Sequence, residues 1–123
     1  MGERLVLNNE KISAQAFKSI HNFHRDIVKE VLETVAGHSV VVVGMKQNPV
    51  VKQARRLLDE QNISYTYLEY GSYFSMWKER LAIKLWSGWP TYPQIFVKSV
   101  LIGGFSDLQE EVSNGQLQKR LAQ

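Results

Sequence analysis

Four consecutive valines, Val40 to Val43, run into Gly44 and a short turn that ends in Asn48-Pro49. Four β-branched apolar residues in a row fit a strand buried on both faces, since a one-faced strand would alternate. Asparagine followed by proline then marks a helix start, the first as N-cap and the second at the first helical position. The helix runs on through Val50, Val51, Ala54, Leu57 and Leu58. Strand, tight turn and helix start form a layout that presents chemistry at the turn. Yet residues 44–49 hold no Ser, Thr, His, Cys or carboxylate.

A strand covered twice needs helices on both sides, and the neighbouring sequence supplies them. Residues 13–36 set Phe17, Ile20, Phe23, Ile27, Val31, Leu32 and Val35 three and four apart, which predicts one amphipathic helix. Ser13 is its expected N-cap and Gly37 the left-handed residue after its end. Ile63 to Tyr70 reads as a second strand by its β-branched and aromatic content. Residues 74–86 predict a further helix, with Arg80 and Lys84 on one side, open to either a solvated face or a ligand contact. Trp86 reads as a core residue at helical spacing, and Trp89 as a core or rim aromatic in the proline-punctuated turn 87–94.

Gln94–Val97 and Val100–Ile102 predict a hairpin over Lys98-Ser99. Gly103-Gly104 ends its second strand. Ser106 or Asp107 is expected to cap a last helix over 107–113, closed by Asn114-Gly115. The order α-β-α-β-α-β-β-α makes this an α/β chain. The helix-linked strands should be parallel with a right-handed crossover, and the last two antiparallel. A four-stranded mixed sheet flanked by helices follows, and 123 residues suit one domain over 1–123.

Composition removes whole classes of chemistry. There is no cysteine, so these residues supply no disulfide, thiolate metal ligand or thiol nucleophile. His21 and His24 lie three apart but have no third ligand in view, so no metal site is expected. The net charge of +3 is dispersed, with no basic stripe interleaved by aromatics, so no nucleic-acid partner is expected. No apolar run approaches ~20 residues, so no membrane span or membrane partner is expected. Residues 1–11 lack an apolar signal core, and Val6 stands where a myristoylation pattern needs Ser or Thr; a cytoplasmic location is the expectation.

Residues 80–108, RLAIKLWSGWPTYPQIFVKSVLIGGFSDL, resemble glutaredoxins of the monothiol class. That family shows a basic residue, Trp-Pro-Thr-x-Pro-Gln, a hairpin, Gly-Gly and an acidic helix start at this spacing. The valine strand matches its first strand and active-site turn, and the N-terminal helix matches the extra helix of monothiol members. The resemblance covers about residues 13–118. It implies a thioredoxin-like fold, glutathione as ligand and a cis Tyr92-Pro93 peptide.

By resemblance, glutathione-type contacts fall on Lys46, Arg80, Thr91, Tyr92, Pro93, Gly104, Phe105, Ser106 and Asp107. The Tyr92 backbone would pair with the cysteinyl part as an added strand does. Gly104 to Ser106 would hold the γ-glutamyl end at a helix start, and Arg80 with Lys46 would attract the glycine carboxylate. Asn48 occupies the family's nucleophile position, and Ser106 stands where an acidic residue is usual.

Asparagine is neither nucleophilic nor titratable, so no catalytic residue is expected. Thiol–disulfide exchange and cysteine-ligated iron–sulfur binding are excluded for these residues. The expected function is a glutaredoxin-like protein without a redox-active cysteine. It would keep a weak groove for glutathione or a similar small anionic peptide and serve as a binding or regulatory module in redox homeostasis, with no cofactor of its own. Two alternatives stand beside it: a thioredoxin-fold scaffold for a protein partner without glutathione binding, or an oxidoreductase-family member working with a partner's thiols.

Overall fold

The computed structural model describes residues 2–123. A 3-10 turn at Asn9–Lys11 leads into α1 (Ala14–Asn22) and α2 (Arg25–Gly37). Then follow β1 (Val40–Gly44), α3 (Pro49–Glu60), β2 (Thr66–Glu69) and α4 (Trp77–Ser87). The chain ends with β3 (Gln94–Val97), β4 (Val100–Gly103), α5 (Phe105–Ser113) and α6 (Gln116–Leu121). The strands form one sheet in the order β2-β1-β3-β4. β1 pairs parallel with β2, while β1–β3 and β3–β4 are antiparallel, as the connections require.

The four valines are buried on both sides, each at 2% exposure or less. Val41 and Val43 face a layer that holds Val31 and Val35 of α2 and Ile83 of α4. Val40 and Val42 face the opposite layer, with Ala54 and Leu58 of α3, Leu108 of α5 and Leu117 of α6. Gly44 ends the run for a steric reason. A Cβ there would stand 2.7 Å from Val51 Cγ1 and 3.1 Å from Tyr67 Cε1.

Several elements differ from the sequence expectation. The single helix over 13–36 is broken into α1 and α2 at Phe23-His24, where His24 adopts φ 45°. Histidine is among the side chains that tolerate the left-handed region. α1 contributes no buried residue, so its apolar stripe does not force it to continue α2. Ser13 does cap α1, its Oγ accepting from Ala16 N at 3.1 Å. Gly37 is the last residue of α2 and is not left-handed; the chain leaves through an extended His38.

The second strand shortens from 63–70 to Thr66–Glu69. The helix expected from 74 begins at Trp77 instead. Serine hydroxyls hold the preceding loop: Ser72 N donates to Ser75 Oγ at 3.0 Å and Phe74 N to Ser72 Oγ at 3.2 Å. Such local bonds offer the backbone an alternative to helix, and they leave Phe74 almost fully exposed. α6 was absent from the expected order. Gly115 at φ 79° lets the chain turn after α5 and start again, which buries Leu117 completely. The described helices include none long and apolar enough to cross a membrane.

Candidate functional site

Strand register brings three turns to one end of the sheet. Val43, just before the 44–48 turn, sits opposite Gln94, just after Pro93. Ile95 sits opposite Gly103, where β4 ends and α5 begins. The starts of α3 and α5 therefore flank Thr91-Tyr92-Pro93, and the Tyr92-Pro93 peptide is cis.

Asn48 is the N-cap of α3, at φ −82°, ψ 116°. Its Oδ1 accepts from Val50 N at 2.9 Å and Val51 N at 3.1 Å. Helix starts leave such amides without intrahelical partners, and here the side chain itself satisfies two of them. Such a cap stabilises by about 1 kcal/mol, and it is held by an amide that cannot attack or titrate. Lys46 is exposed in the turn, its backbone N–H donating to Gly71 O at 2.7 Å.

The α5 start is built differently. Its N-cap is Gly104, not Ser106 or Asp107 as the sequence suggests. Asp107 caps from inside the helix: its Oδ2 accepts from Gly104 N at 2.9 Å. The turn that permits this needs glycine at 103, where φ is +119° and a Cβ would meet Asp107 Oδ2 at 2.3 Å. Ser106 is exposed and Phe105 half-buried. Among the described residues, the amides of Phe105, Ser106 and Asp107 have no acceptor, so this helix start keeps backbone donors open, beside an Asp107 carboxylate that already lies on its dipole.

Arg80 is 7% exposed, which removes the solvated-face reading for this residue. Its Nη1 donates to Tyr70 O at 2.8 Å and to Ser75 O, pinning the 70–75 loop to α4. Tyr92 is buried, its hydroxyl donating to Arg80 O, and Lys84 Nζ lies 5.5 Å from the centre of its ring. Burial raises the Tyr92 phenol above its ordinary value, with the Arg80 charge pulling the other way. Tyr70, also raised by burial, donates to Glu30 Oε1 at 2.7 Å. Thr91 is exposed beside this chain of bonds and Pro93 is buried.

Lys46, Asn48, Thr91, Tyr92, Pro93 and the 104–107 segment thus share one end of the sheet. Arg80 lies beneath it, turned to main-chain carbonyls. Trp89 is not among the residues the resemblance marks for binding. Its Nε1 is buried without an acceptor among the described residues, as Gln94 Oε1 is without a donor. That Nε1 is 3.6 Å from where a Cβ on Gly104 would stand, and Pro93 O is equally close to the same point. No single-residue pattern signals an orphaned indole. The Asp107 cap was legible, since a carboxylate three residues after the N-cap is where a capping side chain reaches back.

His21 and His24 take separate roles. His21 stacks on Phe17 at 6.3 Å, and His24 Nδ1 is 4.0 Å from Glu79 Oε1.

Comparison with known proteins gives a consistent picture. The glutaredoxin family profile matches residues 40–102. A glutaredoxin-like protein of Dictyostelium discoideum is 51% identical over 98 residues, covering 80% of each chain. Glutaredoxin 1 of Rickettsia conorii is 33% identical, covering 68% of this chain and 81% of its own. Among solved structures, a buckwheat glutaredoxin–glutathione complex superposes with a TM-score of 0.73 at 20% identity, covering 82% of this chain and 92% of that one. At that identity the likeness speaks for the fold alone.

Proposed function

This chain belongs to the glutaredoxin family, and on that premise we propose that it is a redox-inactive member that keeps a weak glutathione-type groove and acts as a binding or regulatory module in the cytoplasm, as a single domain. The observation that carries the proposal is the Asn48 cap. The position that heads α3 holds an amide whose oxygen is committed to Val50 and Val51, and no thiol exists elsewhere in the chain. Beside it lie three groups that suit an anionic tripeptide. These are exposed Lys46, the open start of α5, and the Tyr92 backbone in the turn before β3. That a neighbouring fold was solved as a glutathione complex supports the ligand class.

Without a covalent bond, affinity rests on exposed charge contacts of ~0.2–1 kcal/mol each, giving binding on the order of millimolar. Amide NMR during a glutathione titration tests this. Shifts should gather at Lys46, Tyr92, Phe105 and Ser106. Silence at those amides up to tens of millimolar would remove the ligand from the proposal.

A second reading, a protein-binding scaffold with no glutathione site, is favoured by one observation: the Arg80 guanidinium serves Tyr70 and Ser75 rather than the groove. Silent amides would turn the choice to that reading. Turnover of a small disulfide above the glutathione-only blank, in a coupled assay with glutathione reductase, would instead contradict both.

A further inference from the structure

α2 and α4 run in the same direction. Their starts approach each other at His24 and Glu79, 4.0 Å apart, and their ends share a hollow lined by Ala36 and Ser87. The faces they turn outward are apolar and uncovered. Val28, Leu32 and Ala36 are spaced by four on α2, as are Leu81 and Leu85 on α4. Leu32 is 50% exposed and Leu85 65%. Between them run two hollows, about 510 Å³ and about 280 Å³, that meet at Trp86. Together they make one furrow along the helix pair. α1 closes one end with Ile20, itself 60% exposed.

The furrow has a charged end. Arg25 lines the larger hollow; Lys78 precedes Leu81 by three residues, which sets it on the same side of α4 at the helix start, with its Nζ 5.6 Å from the centre of the Trp77 ring. His21 joins Arg25 in the wall. No carboxylate lines either hollow among the described residues. Glu79 lies at this end but faces His24. Asp26 lies on the other side of α2 with Lys29, Glu30 and Glu33. The starts of both helices add their dipoles with the same sign.

We propose that this furrow docks an amphipathic helix of a partner protein, one with an apolar stripe and acidic side chains at the end that meets Arg25 and Lys78. Parallel ridges spaced by four accept side chains at i, i+3/i+4 and i+7, as helix-in-groove recognition requires. The 13 residues of α2 extend ~20 Å, which sets the partner at about three to four turns. The inference uses none of the three turns of the candidate site, so it stands or falls apart from glutathione binding.

The probe is a synthetic amphipathic peptide of about 14 residues, with a leucine stripe and three Glu clustered at one end. Its twin carries Lys in their place. Fluorescence anisotropy gives affinity, and amide NMR gives location on the full chain. The Glu peptide should bind at least about tenfold more tightly than the Lys twin, with shifts confined to α1, α2 and α4. The double variant Arg25→Glu, Lys78→Glu should reverse the preference. Leu85→Ser, at an exposed position, should abolish binding while the rest of the spectrum is unchanged. Equal affinity for the two peptides, or no shifts on α2 and α4, would overturn the proposal. So would occupation by this protein itself: a dimer in sedimentation that Leu85→Ser dissolves, or Leu85 shifts on Leu5→Ser and Leu7→Ser without peptide.

Discussion

On one side of the sheet, Val40, Val42, Ile95 and Val97 meet Ala54, Leu58, Leu108 and Leu117, a cluster of buried aliphatic side chains. On the other side, Val41 and Val43 share their layer with Tyr70, Tyr92 and Met45, and with the buried Arg80 beside them. There a chain of bonds runs from Tyr92 to Arg80, from Arg80 to Tyr70 O, and from Tyr70 to Glu30. The α3/α5/α6 face is held by burial, which is non-directional and tolerant of small shifts. The α2/α4 face adds directional bonds that fix where the Tyr92 turn sits. Stability should therefore be concentrated on the first face and site geometry on the second.

Leu108→Ala offers the hardest test of that division. Leu108 is fully buried, and the lost transfer energy plus the cavity should cost about 3 kcal/mol. Urea unfolding followed by tryptophan fluorescence reads this as a fall in midpoint at constant slope. Spectra around Tyr92 should stay native. Arg80→Met comes next, at about 2 kcal/mol, because it strands the carbonyls of Tyr70 and Ser75. Unlike Leu108→Ala, it should move the amides of residues 70–76 and 92. If Arg80→Met proved silent there, the directional role of this face would be lost. Tyr92→Phe, which removes only the hydroxyl, should cost about 1 kcal/mol, and the division fails if it costs as much as Leu108→Ala.

Alkali should separate the faces more gently. Burial raises the phenols of Tyr70 and Tyr92, and pushes Tyr67 up to about 12 with Glu69 adding to it. A tyrosine whose folded pKa lies above its unfolded ~10 gives stability that is intact below pH ~10. That stability drains away as pH rises through the folded value, because the unfolded chain releases its proton first. Unfolding midpoints should drop above pH ~10, and phenolate absorbance should show three of the five tyrosines titrating late. Tyr67 pairs with Val42 and carries Arg55 over its ring, so it reports on the α3 side; ordinary titration of Tyr70 and Tyr92 would mean the polar layer is open to water.

The sequence announced the sheet because valine runs, proline at a helix start and a two-residue hairpin turn are local signals. It gave no warning of the break at His24, because Phe17 and Ile20 keep helical spacing although α1 buries nothing. α6 escaped for the opposite reason, being a two-turn helix whose one buried residue, Leu117, is invisible without its neighbours. At the site, the Asn48 cap follows from residue type and position. Arg80 does not. Its helical spacing places it on a face, and only the serine-held loop at 72–75 shows that the face looks inward.

The valine run carries a hidden cost. Strands usually keep their alignment because a one-residue slip would throw apolar side chains into water. Here a one-residue slip exchanges valine for valine at three of the four positions, so burial penalises it only at the ends, where Ser39 would take the place of Val40 or Lys46 that of Met45. Gly44 adds a steric bar: any side chain brought to that spot would strike Val51 and Tyr67. The fidelity of the central strand thus leans on its smallest residue, and a methyl group there would press on Val51, the same residue whose backbone N–H the Asn48 cap holds.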